Sequence, residues 1–178
     1  MKKSYLIIIA VVSTLLSSCG KYDDGPFFSI RSKNSRLEGK WKLVEYKSEW
    51  TNALDASDND SQILSGGIMT STYYDAIYDP WTGSIIGYEP VTSSYPYEQS
   101  MEFTIKDNTC KTTTITSGVS DVSTVFWSWS DGANEQELLE IDGQGLIIKR
   151  LTNKELELYY EVKEDGATGV VEITLEKE

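Results

Sequence analysis

Leu37 to Trp50 reads L-E-G-K-W-K-L-V-E-Y-K-S-E-W, and the alternation inside it decides the fold. Trp41 and Leu43 fall on one side and Lys40 and Lys42 on the other, the period-two signature of a strand with one wet face. The parity then slips to Val44 and Tyr46, which predicts a bulge or bend of the kind a sheet needs in order to close. Gly39, two residues before Trp41, leaves space for a neighbouring backbone or a large ring. The stretch is therefore read as the first strand of a closed antiparallel sheet.

Outward from it, the same period recurs between short breakers. Thr51 to Gly67 is rich in Asp, Asn and Ser and predicts a long loop with one helical turn near Asn52 to Ala56. Asp55, Asp58 and Asp60 lie there without the glycine and glutamate positions of a calcium loop, so a solvated acidic loop is expected and no metal site. Ile68 to Asp79 and Ser84 to Val91 flank D-P-W-T-G at Asp79 to Gly83, which predicts a hairpin. Around it lie Tyr73, Tyr74, Tyr78, Trp81, Tyr88, Tyr95 and Tyr97, aromatics suited either to the mouth of a barrel and sugar stacking or to plain sheet packing. Met101 to Ile105, Thr109 to Ser117 and Val122 to Ser130 predict further strands, the last with Val125, Trp127 and Trp129 on one face. Leu146 to Leu151 and Lys154 to Val162 make the clearest hairpin, with Leu156, Leu158, Tyr160 and Val162 sharing a face, and Val171 to Leu175 closes the sheet. The pattern predicts an all-β, antiparallel up-and-down barrel of about eight to ten strands.

Composition narrows the chemistry. The 178 residues suit one domain, and eleven Tyr and five Trp lean towards strand. A formal charge of -12 repels phosphate backbones, so no nucleic-acid partner is expected. The chain has no histidine, which removes Ser-His-Asp and Cys-His catalysis and the commonest transition-metal ligand. Only carboxylate, lysine or tyrosine chemistry is left, and most acids alternate onto the wet side of strands. No catalytic residue and no cofactor are expected, and the protein is read as a non-enzyme. Of two cysteines, Cys110 lies on a strand beside Lys111 and is expected to be buried and inert.

Residues 1–18 have the build of a secretory signal, with Lys2 and Lys3 before an apolar run, Tyr5 to Leu16, too short to span a bilayer. Leu16-Ser17-Ser18-Cys19-Gly20 resembles the bacterial lipobox. The resemblance implies cleavage before Cys19, a diacylglycerol thioether on its sulfur and an acylated amino terminus. At about 0.8 kcal/mol per buried CH₂, several chains make such an anchor stable where one is marginal. Residues 19–36 are the lipidated cysteine and a polar tether with Gly25-Pro26 as a breaker, and residues 37–178 are the barrel domain. Asp23 and Asp24 resemble the acidic export signal with which certain Gram-negative bacteria send lipoproteins to the cell surface. The expected location is the outer membrane, lipid-anchored, at the surface or facing the periplasm.

Leu37-Glu38-Gly39-Lys40-Trp41-Lys42-Leu43 resembles the G-x-W opening of lipocalins and of bacterial lipocalin-like lipoproteins, and Leu151 to Leu158, L-T-N-K-E-L-E-L, resembles their penultimate hairpin. The resemblance implies a lipocalin-like barrel plugged at one end by Trp41 beside Gly39, with a late-strand arginine over the indole. Arg150 is the candidate, for a cation–π contact worth about 0.5 to 2 kcal/mol. The T-D-Y-type turn of typical lipocalins is absent, and no ligand contact carries over. Two functions stay open. In one, the barrel binds a small apolar or amphipathic ligand, with Tyr73, Tyr74, Tyr78, Trp81, Trp127 and Trp129 as candidate contacts. In the other, the interior is filled and the outer surface serves as an interaction, inhibitor or accessory subunit for an envelope protein, or for a glycan.

Overall fold

A computed structural model describes residues 32–178 except 54, 132–136 and 165. The signal segment, Cys19 and most of the expected tether lie outside the described residues. Among the described residues, ten antiparallel strands form a closed ring of hydrogen bonds, the all-β, barrel-like architecture that the sequence predicts. In chain order they are β1 (Gly39–Asn52), β2 (Asp60–Ser65), β3 (Ile68–Tyr78), β4 (Ile85–Thr104), β5 (Thr109–Thr116), β6 (Val119–Asp131), β7 (Glu137–Ile141), β8 (Gln144–Leu151), β9 (Glu155–Glu164) and β10 (Ala167–Lys177). A five-residue helix, α1 (Lys33–Leu37), precedes β1, so the last residues of the expected tether are helical. Ser32 caps it by accepting from the Ser35 N–H at 3.2 Å.

The sequence pattern missed one strand and divided another. The expected loop Thr51 to Gly67 holds the end of β1, a single 3₁₀ turn (Ala56–Asp58) and all of β2. β4 runs unbroken for 20 residues across what the pattern divides into two strands. The parity slip in β1 is an irregularity between Leu43 and Glu45 in its ladder with β10. Gly39 has φ of 115°, a region that favours glycine, and a Cβ there would meet the Lys177 Cε at 3.1 Å.

β1 forks. Its first residues, Gly39 to Lys42, pair directly with Phe103 to Ser100 of β4. Further on, Tyr46 to Trp50 pair instead with Leu64 to Asp60 of β2. The β2–β3 hairpin is thus a wedge between β1 and β4, absent from the eight-stranded base at the Trp41 end and present only towards the other end, the mouth. Two further irregularities open the mouth. β7 pairs β6 only from Trp127 to Asp131, and β8 pairs β9 only up to Tyr159. The upper edges of β6 (119–126) and β9 (160–164) therefore flank a slit above the short β7–β8 hairpin.

The core fills the base. Trp41, Phe103, Cys110, Leu139, Leu151, Leu156, Leu158 and Leu175 are essentially fully buried, and Trp127, Leu43, Leu146 and Ile148 join them. Burying a side chain of this size contributes roughly 1.5 to 3 kcal/mol, which places most of the molecule's stability at this end.

Candidate functional site

Strand register places each inward residue at a height above the base. At the level of Tyr46 the ring carries Ile173, Leu158 and Ile148 on one side and Leu64, Met69 and Tyr95 on the other. Tyr97 follows on β4. Tyr46, Tyr95, Tyr97 and Tyr160 are half-buried and pack on the core. Burial pushes the Tyr97 hydroxyl above its ordinary pKa; a Thr114 hydrogen bond opposes this, while Tyr46 and Tyr95 nearby add to the rise. The Tyr97 hydroxyl donates to Gln99 Oε1 at 3.1 Å. These tyrosines form a collar.

Above the collar the same inward faces change chemistry. Ser48 pairs with Gln62, Gln62 with Ser71 and Ser71 with Ser93. Below Tyr97 on β4, towards the base, Gln99 pairs with Thr114, and Met101, itself opposite Trp41, pairs with Thr112, so polar side chains also enter the lower wall at β5. On the β1–β3 wall, tryptophan, leucine and tyrosine below thus give way to hydroxyl and amide groups towards the mouth. A wall of this kind holds a molecule that has both an apolar face and hydrogen-bonding groups. Grooves on the outer wall are smaller than a typical ligand site: one of about 250 Å³ lies at Tyr46, Ile63 and Leu64, and one of about 200 Å³ at Lys40, Lys42 and Gln99.

The residues singled out in the sequence go to three places. Gly39 and Trp41 lie at the base, where the buried indole Nε1 donates to the Leu37 carbonyl at 2.6 Å. The cation over that indole is Lys177, its ammonium 5.0 Å from the ring centroid and donating to the Arg36 carbonyl at 2.8 Å. Arg150 does not fill that role: it lies beyond an irregularity in β8 and its guanidinium sits 3.2 and 3.5 Å from Glu155 and Glu157. Trp127 and Trp129 are also at the base and not near the mouth, because β6 runs downward and ends there. Trp127 packs edge-on against Phe103 and Trp129, and the Trp129 Nε1 donates to Asn34 Oδ1 of α1 at 2.6 Å.

Tyr73 lies at the mouth, on the inward face opposite Val91. Tyr74, Tyr78 and Trp81 belong to an arm beyond it. Past the Asp60–Tyr73 pair β3 has no β2 partner, and β4 meets β5 only from Tyr97 on, so residues 74–90 form a two-stranded hairpin outside the ring. The collar residues Tyr46 and Tyr160 carried no sequence motif, and only the inward parity of their strands could have pointed to them. Cys110 is buried and burial pushes its thiol up to about 11, the inert state expected. Compared with known proteins, the chain matches no family model and no curated protein.

Proposed function

We propose that this is a lipid-anchored, non-enzymatic binding module of the bacterial cell envelope, related to lipocalin-like lipoproteins, that takes one small amphipathic ligand at the wide end of its ring. The observation that carries the reading is the change along the β1–β3 inner wall from the buried Trp41, Leu43 and Leu64 to half-buried Tyr46 and then to Ser48, Gln62 and Ser71. A purely apolar cargo would leave those hydroxyls and amides unpaired, at a cost of about 1 to 3 kcal/mol for each group buried that way. A ligand with a ring or short chain against Tyr46 and Tyr97, and polar groups towards Gln62 and Ser71, satisfies both. The anchor is Cys19 and the location the outer membrane, with the mouth directed away from α1 and hence from the tether.

The test is titration of the mature protein with fatty acids, haem and short oligosaccharides, followed by intrinsic fluorescence. An amphipathic member of that panel is expected to bind, and Y46A/Y97A to weaken it at least about tenfold with the fold retained. Saturable binding by none of them, or binding indifferent to the collar, overturns the reading. A second function, an interaction subunit, is favoured by the solid base and by the exposed arm. For the anchor, Cys19→Ala is expected to release unlipidated protein from the membrane fraction; unchanged fractionation with no acyl mass at residue 19 refutes it.

A further inference from the structure

We infer that the β3–β4 arm is a docking surface for a lysine- or arginine-bearing segment of another protein, which it grips by its faces rather than its edges. Five residues past Tyr73 carry the arm on the order of 17 Å beyond the ring. Its side chains include Tyr74, Ile77, Tyr78, Trp81, Ile86 and Tyr88, all exposed, with Trp81 at 92%. That is a concentration of apolar surface on an element that shields no core.

The arm's edges are blunted against an added strand at one position on each side. On β4 the Tyr97 N–H bonds the Gly67 carbonyl on the β3 side, while the Pro96 carbonyl accepts from Ser117 on the β5 side. Residues of Pro96's parity therefore face outward, and Pro90 shares it, so neither offers an N–H to a newcomer. On β3 the Ala76 N–H is taken by the Asp75 carboxylate at 2.9 Å. Blunted edges with exposed faces distinguish a recognition element from an aggregation-prone one.

Charge selects the occupant. No lysine or arginine occurs between Lys47 and Lys106, a span holding nine carboxylates. Asp75 sits directly opposite Glu89 across the arm, a like-charge pair that destabilises a ladder when nothing neutralises it. Asp79 adds a third carboxylate at the turn, held below the ordinary range by the Thr82 and Trp81 N–H groups. A second copy of this acidic arm is repelled, whereas a segment with several cationic side chains, lapping the arm, relieves the Asp75–Glu89 pair on one face and stacks on Tyr74, Tyr78 or Tyr88 on the other. A glycan would use the aromatics but draw nothing from the charge.

The probe is a fluorescein-labelled twelve-residue peptide of alternating lysine and valine, added to the full mature lipoprotein in detergent and followed by anisotropy. It is expected to bind, and its glutamate–valine counterpart to bind at least about tenfold more weakly. Y78A/W81A is expected to weaken the basic peptide at least about tenfold, and D75N/E89Q about threefold with a flatter salt dependence. A benzophenone-bearing version of the peptide should cross-link to residues 74–90 of the unaltered chain, a readout that does not depend on any variant folding. Equal binding of both peptides, no response to D75N/E89Q, cross-links confined elsewhere, or laminarihexaose binding at the arm where the basic peptide does not, each overturns the inference. Collar binding is measured separately through Y46A/Y97A, so failure of one site is not read as failure of the other.

Discussion

The Trp41 indole is held by groups scattered along the sequence: the Leu37 carbonyl in front of its nitrogen, the Lys177 ammonium over its ring and the Gly39 backbone beside that lysine. Lys177→Met removes the cation and its bond to the Arg36 carbonyl, and is expected to lower unfolding free energy in urea by about 1 to 2 kcal/mol. Arg150→Met, at a one-third exposed ion pair, should cost less, about 0 to 1 kcal/mol. The sequence made Gly39 and Trp41 legible because they sit in one strand with a clear period. It could not name the cation, since Lys177 meets Trp41 only through the β1–β10 register. Gly169 is a similar case. It lies opposite Trp50, whose ring covers it so closely that a Cβ would sit 2.3 Å from Cε3. Gly169→Ala should displace that indole, shift its emission and destabilise by about 1 to 3 kcal/mol. Cys110 brings a pH dependence. Its folded pKa, about 11, lies above the ordinary thiol value of 9.0, so the folded state holds the proton more tightly. Its contribution to stability is complete below pH 9 and is lost as pH rises through 11, and an alkylating reagent at pH 8 should label it only in denaturant.

Among the elements, the arm and the base differ most. A two-stranded hairpin alone is marginally stable, so the amides of residues 74–90 should exchange by local opening, while Leu156, Leu158 and Leu175 exchange only with global unfolding. Replacing Asp75 to Glu89 by Asn-Gly, which joins the paired Tyr74 and Pro90 by a two-residue turn, should leave the thermal midpoint within a few degrees. A large loss would mean that the arm supports the ring. The hairpin itself was readable, because D-P-W-T-G has turn chemistry: the Asp79 carboxylate accepts the Trp81 and Thr82 N–H groups at 2.7 and 2.9 Å. β2 was not. Its residues, D-S-Q-I-L-S, pair correctly on both sides but offer a single buried apolar position, Leu64, and polar inward neighbours such as Gln62. A strand lining a polar mouth has no amphipathic alternation to betray it, so the feature that makes the candidate site polar also concealed it.

Across the whole molecule, charge and packing run along one axis. Lys33, Lys40, Lys42, Lys106, Arg150, Lys154 and Lys177 gather towards the base, whereas the arm and the 53–60 connection are acidic. Repulsion within the acidic end should ease with salt, so the melting temperature is expected to rise by a few degrees between about 20 and 200 mM sodium chloride. A fall would mean that base-end ion pairs such as Lys40–Glu178 weigh more. Alternation and turn residues revealed the ring, but they assign a residue to a face and never to an end. That is why the sequence reading puts Trp127 and Trp129 towards a mouth, whereas they pack at the base.

The fork in β1 separates the floor of this vessel from its rim. Because β1 grips β4 before the wedge enters, the girth of the opening depends on an insert that the lowest ladder of the floor does without. An insert so placed can be lengthened, trimmed or recomposed, changing the width of the rim while the β1–β4 ladder that seals the other end stays as it is.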